Sequence, residues 1–324
     1  MINMNEKIRK HCFRLLSAGL LLAAACGNDS VTNTPGDRVT NPFPLALGDT
    51  WQYTIEQSIF VHEDTTQPPI TASSTGFQTV SINRTEEITG DEAFGVTTRH
   101  VLDYLFSVGA DTVVETRYLA PHGDKVLLKA EQIVYNPTFG FIPLSNQERP
   151  SRYGALIDVS GGKKFITLER LAYLLLGPRG PLTTPQEEAT LASDGIQNNP
   201  DVLFYDTDYI FVYDELYKGR SWVSLPAVDV GGIDISQKVS NIIPSLGDYT
   251  GPIAEVEETN TLIEAAASEK FIKRYYYKGG VGLIQAEISD PEFIIWLQLP
   301  DGSIQLLGLG TWTIIKKLVS YDVK

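Results

Sequence analysis

Cysteine is nearly absent. The chain of 324 residues holds two, Cys12 and Cys26, too few for the disulfide framework of a small stapled secreted fold. Long apolar runs are missing as well. The stretch 15–25 is broken only by Ser17 and Gly19 and ends after eleven residues, short of the roughly 20 that a membrane-spanning helix needs. Positive charge is in deficit: 26 Lys and Arg face 40 Asp and Glu, for a net charge of −14. Such a chain repels phosphate backbones, which excludes nucleic acid as a partner. Histidine is scarce, and no His-Glu-x-x-His metal motif occurs. No Gly-x-Ser-x-Gly nucleophile elbow is present. Gly280-Val281-Gly282 lacks the Gly-Lys-Ser/Thr of a phosphate loop and reads instead as a strand bend that requires positive φ.

What the chain does have begins with its first 26 residues. Lys7, Arg9, Lys10 and Arg14 outweigh Glu6, and the apolar run 15–25 follows, which is the layout of a secretion signal. The run ends in Leu22-Ala23-Ala24-Ala25-Cys26. This resembles the lipobox of bacterial lipoproteins, with Ala23 where Leu is usual. The resemblance implies cleavage before Cys26, acylation of its thiol with palmitate-type chains, and attachment to a membrane. One acyl chain binds membranes only marginally, and stable anchoring takes more than one. Gly27 after the cysteine, where inner-membrane lipoproteins of this kind carry Asp, implies delivery to the outer membrane. Cys12 is lost with the leader, so the one remaining cysteine stands where it cannot staple a core.

Residues 26–41 are polar, rich in Gly, Asn and Thr, and without period; they read as a disordered tether. The fifteen residues after Cys26, fully extended, reach at most about 50 Å.

The body opens at 43–53, Phe-Pro-Leu-Ala-Leu-Gly-Asp-Thr-Trp-Gln-Tyr. From Trp51 the alternation is regular, with Tyr53, Ile55, Ile59 and Val61 on its parity and Gln52, Thr54, Glu56 and Ser58 on the other. Period two marks a strand with one buried face, and Trp51 is its core anchor. Val80, Ile82 and Ile88 share a parity, Thr89-Gly90 reads as a hairpin turn, and further strands follow at 94–104, 112–119 and 125–135. Pro121-His122-Gly123-Asp124 separates the last two.

The middle differs. Leu168, Leu171, Ala172 and Leu175 recur at helical spacing, and Thr184-Pro185-Gln186-Glu187 is a helix start. Residues 137–201 are therefore expected to be a connector with one or two short helices. Strands resume over 204–217, 253–263, 270–277, 282–288, 293–299, 303–307 and 311–321, with Asp301-Gly302 as a hairpin signal. Gly219-x-x-Trp222 repeats Gly48-x-x-Trp51, a hint of internal duplication. The expected fold is mainly β, with antiparallel sheets in two β-rich halves, 42–136 and 202–324, after the signal 1–25 and the tether 26–41.

Three landmarks carry a second resemblance: Phe-Pro-Leu-x-x-Gly-x-x-Trp-x-Tyr at 43–53, Gly219-x-x-Trp222, and Tyr275-Tyr276-Tyr277-Lys278-Gly279-Gly280-Val281-Gly282-Leu283-Ile284. Together they are similar to a group of uncharacterised bacterial lipoproteins with FPLxxGxxWxY and YxxGVGLI-type motifs. That resemblance implies a β-rich body and an envelope address. It carries no catalytic residue.

Candidate chemistry is thin. His62, His100 and His122 do not pair, and His100 shares parity with Phe94, Val96 and Leu102, as a satisfied half-buried histidine would. Asp206 and Asp208 lie two apart, but no EF-hand glycine or terminal glutamate follows. The stripe Tyr205, Tyr209, Tyr213 and Tyr217 suits either a sheet core or a surface that stacks on sugars or peptide; the core is favoured. No metal, cofactor or catalytic residue is assigned, and the one assigned site is lipid attachment at Cys26. The expected protein is a lipid-anchored outer-membrane lipoprotein with a β-rich binding or scaffolding body. Its partners are the membrane and an envelope protein or glycan. The alternatives are a lipid-anchored hydrolase of glycans or peptides, or a carrier of an apolar ligand. A hydrolase predicts converging carboxylates, a carrier an apolar cavity, and a scaffold an exposed apolar patch.

Overall fold

Alternating side chains turn most of this chain into strand. The computed structural model describes residues 37–61, 70–103, 110–136, 202–225, 233–263, 268–298 and 304–324, all within the unit Pro35–Lys324. The leader with Cys26, most of the expected tether, His62, the connector 137–201 with its helices, and the Asp301-Gly302 turn lie outside the described residues. In chain order the strands are β1 (Arg38–Thr40), β2 (Thr50–Val61), β3 (Ile70–Ile88), β4 (Asp91–Asp103), β5 (Ala110–His122), β6 (Lys125–Asn136) and β7 (Val202–Tyr213). They continue with β8 (Glu215–Tyr217), β9 (Ser221–Leu225), β10 (Ile233–Leu246), β11 (Tyr249–Ile263), β12 (Ser268–Lys278), β13 (Gly282–Gln298) and β14 (Ile304–Asp322). The protein is a mainly β, antiparallel fold.

Twelve of these strands form one sheet in the order β7-β6-β5-β4-β3-β2-β14-β13-β12-β11-β10-β9, and β1 pairs with β8 apart from it. The β2–β14 ladder, with Tyr53 opposite Leu318 and Ile59 opposite Trp312, zips the beginning of the body to its end. The sheet cannot lie flat. Twelve strands at about 4.8 Å spacing span about 50 Å, yet β7 and β9 are joined by only residues 214–220, which reach about 25 Å at most. The sheet therefore curls until its ends meet, and Cα atoms of β7 and β9 come within 8 Å. Side chains close that seam. The Arg220 guanidinium lies 3.6 Å over the Tyr213 ring, Tyr213 meets Trp222 edge-on at 5.6 Å, and Arg220 donates to the Glu215 carbonyl.

The result is an up-and-down barrel with two unlike ends. Tight turns at Thr89-Gly90, Gly123-Asp124, Lys218-Gly219, Gly247-Asp248 and Gly279-Val281 gather at one end. Thr89 and Gly90 both have positive φ, 51° and 85°, the signature of a primed hairpin turn. The strand ends Val61, Ile70, Asp103, Ala110, Asn136, Val202, Leu225, Ile233, Ile263, Ser268, Gln298 and Ile304 lie at the other end. Outward positions such as Gln52, Thr54, Glu56, Ser58, Ser73, Thr75, Arg99, Lys238, Arg274 and Lys317 are exposed. That face meets water, because a lipid-facing barrel needs an apolar band there.

The turn end is plugged. Val39, Trp51, Ile82, Leu119, Val126, Val212, Leu216, Trp222, Val239, Ile253, Val256 and Ile284 belong to one buried cluster, with Phe43 and Leu45 packed against it. The expected tether thus joins the fold at Arg38. Val39, 1 % exposed, pairs with Leu216 and draws the strand in by its buried side chain.

The strands differ from the sequence expectation in several places, with β1 and β9 among the additions. A bulge between Ile82 and Arg84 moves Ile88 off the face of Val80 and Ile82 and into a separate cluster with Ala93, Tyr118, Ala120, Ala130 and Val202. Strand 204–217 breaks at Asp214, whose backbone N–H donates to Asp124. The segments 282–288 and 293–299 are one strand, irregular between Asp290 and Phe293, and 303–307 joins 311–321 in β14. Strand β10 is additional to the expectation; its inward residues Ile235, Gln237 and Val239 include a polar one. Gly48 and Gly219 have nearly equal positive φ, 93° and 91°, just before β2 and β9. Each delivers a buried tryptophan into the core from strands six places apart in the ring.

Candidate functional site

The sequence landmarks lock the plug. Trp51 Nε1 donates to the Val281 carbonyl at 2.6 Å, and Tyr53 Oη donates to Leu283 at 2.9 Å. Phe43 stacks on Trp51 with ring centroids 5.9 Å apart and meets Phe211 edge-on at 5.1 Å. Gly279 must be glycine, since a Cβ there would lie 2.6 Å from the Thr40 carbonyl oxygen. Gly282, at φ 106°, allows the close approach of the Trp51 indole. The first and third landmarks are thus two halves of one structural joint.

Above the plug, inward positions change character. On β5, Glu115 and Arg117 continue the inward parity of Leu119; on β6 Glu131 does so, and on β11 Glu258 continues Val256 and Ala254. On β12 Lys273 and Tyr275 face in, and on β14 Lys316 stands between the buried Ile314 and Leu318. Twelve strands would enclose more space than side chains fill, eight being about the limit for a packed interior. Across the interior, Lys316 on β14 senses Arg117 on β5 and Lys273 on β12.

Two polar networks result. Arg117 Nε lies 2.5 Å from Glu115 Oε1 and 3.1 Å from Glu131 Oε1, while Tyr205 donates its hydroxyl to Glu131 Oε2 at 3.0 Å. The second is Lys273 Nζ, 3.0 Å from Glu258 Oε1, with Gln237 donating to Glu258 Oε2 at 2.9 Å. Burial alone would lower the arginine's pKa, but Glu115 and Glu131 outweigh it and hold Arg117 firmly charged. Burial, and then the anionic Glu131 beside it, keeps Tyr205 protonated far above its ordinary range.

Lys316 belongs to neither network. Its Nζ lies 5.0 Å from the Tyr53 ring centroid. Burial, then the neighbouring Arg117 cation, pulls its pKa down to about 7 against the opposing pull of Glu115. Its side chain and those of Arg117, Tyr205 and Tyr275 are only half-buried although they point inward, so solvent reaches this level of the lumen. Gln57 Oε1, Gln78 Oε1, Trp222 Nε1 and Ser224 Oγ are buried without a hydrogen-bond partner. Buried polar atoms of that kind call for water or a ligand.

The residues marked by sequence fall as follows. His100 is buried with its Nε2 3.3 Å from the Gln78 amide nitrogen, a satisfied histidine. His122 is exposed near Asp91, at 3.9 Å, and takes no part in the lumen. The tyrosine stripe packs instead of presenting a surface: Tyr205 meets Tyr209 at 4.8 Å, Tyr213 meets Trp222, and Tyr217 lies under Arg220. The side chains of Asp206 and Asp208 lie outside the described residues. Among the described residues no group of His, Cys, Asp and Glu could hold a metal ion. Glu115, Arg117, Glu131, Glu258, Lys273 and Lys316 went unmarked. Their signal was a charge on the apolar parity of a strand.

Fold and lumen together define a class: a water-facing, up-and-down β-barrel, plugged at one end and lined at mid-height by ionisable groups. Comparison of the chain with family models, with curated proteins and with solved structures gives no match in any of the three.

Proposed function

We propose that this protein is a lipid-anchored bacterial envelope lipoprotein, acylated at Cys26 and sited at the outer membrane, whose barrel holds a small polar ligand in its lumen. The address rests on the resemblance of 15–26 to a signal with a lipobox. The binding role rests on one observation: charged groups from β5, β6, β11, β12 and β14 face the interior at a level that solvent reaches, and Lys316 senses Arg117, Glu115 and Lys273 there. Binding sites have this makeup, a few placed polar groups in an otherwise closed interior.

The other readings fit less well. A glycan hydrolase needs one carboxyl kept protonated and another kept ionised. Here Glu115 and Glu131 both contact one guanidinium, so the two carboxyls stand in like surroundings rather than in contrasting ones. An apolar carrier needs a greasy cavity, yet the apolar end is filled by Phe43, Trp51 and their neighbours. A scaffold would present a contiguous apolar patch. Among the described residues the exposed Leu47, Phe60, Phe77, Val223, Ile272, Val319 and Tyr321 are spread over five strands and the segment before β2.

One preparation tests both parts. Palmitate labelling of wild type and Cys26→Ala, with membrane fractionation, is expected to show label and membrane retention in wild type alone. Native mass spectrometry of the detergent-extracted protein is expected to show a small-molecule adduct that is lost on denaturation. An unlabelled wild type removes the address, and a bare polypeptide mass across a metabolite screen removes the ligand.

A further inference from the structure

We propose that Lys316 is a reactive amine that captures aldehydes and ketones entering the lumen, reversibly, as imines. The inference rests on the ligand-binding reading above and names the substrate class of that site.

Four observations carry it, three of them geometric. Lys316 faces the lumen, fixed between the buried Ile314 and Leu318 on a strand paired on both sides, with Ile55 opposite on β2 and Ala286 opposite on β13. Among the described residues no carboxylate lies within 4.0 Å of its Nζ, whereas Arg117 and Lys273 each have one. The groups that bear on the amine are Arg117 and Glu115 from β5, Lys273 from β12 and the Tyr53 ring from β2. Two of these are cations, and a second cation beside a lysine is a known way to keep it unprotonated. Finally, the side chain keeps part of its surface in solvent, so a small carbonyl compound has access. The pKa near 7 agrees with this geometry. At pH 7 about half of such amines are neutral, against roughly one in 2,500 for an ordinary lysine of pKa about 10.4.

The chemistry balances without a co-reactant. The Nζ lone pair attacks the carbonyl carbon, and the carbonyl π pair moves to oxygen to give a carbinolamine. That oxygen leaves as water with the two hydrogens of the amine, and the C=N bond remains. Hydrolysis reverses each step. No electrons change hands.

The test is reductive trapping at pH 7 with butyraldehyde and sodium cyanoborohydride, on the folded protein, with peptide mapping of each lysine over time. Lys317, the exposed neighbour on the same strand, is the internal reference. Lys316 is expected to be alkylated at least tenfold faster than Lys317 at pH 7, with the excess much smaller at pH 10.5, where the free amine of an ordinary lysine is no longer scarce. Lys316→Arg is expected to fold normally and to lose the fast site. Alkylation of Lys316 at or below the rate of Lys317 would overturn the inference while leaving an open lumen. If Lys316 stays unmodified even by formaldehyde, the lumen is sealed and the ligand-binding reading falls with it.

Discussion

Replacing Lys273 by methionine probes the interior directly. The ammonium is fully buried, at 0 % exposure, and its partner Glu258 is 2 % exposed. They meet at 3.0 Å, with Gln237 on the other carboxylate oxygen. Removing one member of such a pair strands the other charge, which costs about 3–5 kcal/mol. Replacing both by apolar residues of similar volume removes the desolvation burden as well, and such exchanges are often neutral or better. Lys273→Met and Glu258→Leu should therefore each destabilise by about 3–5 kcal/mol, and the double variant should lie within about 1 kcal/mol of wild type. In a body of this size about 1 kcal/mol moves Tm by roughly 2–4 °C, so each single variant should melt roughly 6–20 °C lower. The assay is urea unfolding of the processed protein, followed in parallel by circular dichroism and tryptophan fluorescence to check that the transitions coincide. Additive losses, with the double variant as unstable as the sum of the singles, would mean that the two charges do not meet in a closed interior. The barrel as described would then be wrong.

Other expectations follow from the same geometry. Gly279→Ala places a Cβ 2.6 Å from the Thr40 carbonyl and should release β1 from the plug, seen as faster tryptic cleavage at Arg38. Trp51→Phe removes the donor to Val281 and leaves that buried carbonyl without it, a loss of about 1–3 kcal/mol in the same urea assay. Lys316 carries a folded-state pKa of about 7, below its unfolded value, so the unfolded chain binds more protons between about pH 7 and pH 10. Its burial penalty is present in full below pH 7 and fades as pH rises across that window. Lys316→Met should therefore stabilise the protein at pH 6 by about 2 kcal/mol, after allowing for its contact with solvent, and by almost nothing at pH 10.5. If the gain were equal at both pH values, Lys316 would not be a buried amine.

Much of the architecture was legible in the sequence, for a physical reason. Where one face of a strand is wholly apolar, as from Trp51 to Ile59, period two announces both the strand and its inward side. Turns built on Gly90 and Gly123 were legible because positive φ favours glycine. The Val80–Ile88 parity failed at a bulge, and nothing in the composition of Asn83 or Arg84 foretells one. Strand β10 was missed because Gln237 and Ser236 dilute its alternation. The candidate site was missed by the same rule that found the strands. Glu115, Arg117, Glu258 and Lys316 each occupy an apolar parity, and a rule that sends charges outward reads them as surface. A charge that breaks the inward parity on several strands is better read as a lumen. Which strands face each other follows only from closure of the ring, which a short link between β7 and β9 enforces and local patterning does not contain.

The central claim is that ionisable side chains from several strands share one closed and solvated interior. Its most direct test is a pH titration of the lysine side-chain resonances by NMR in selectively labelled protein, with Lys316→Arg for assignment. The account predicts one lysine titrating near pH 7 and lost in that variant. If no lysine resonance titrates near pH 7, Lys316 lies in open water and the lumen described here does not exist.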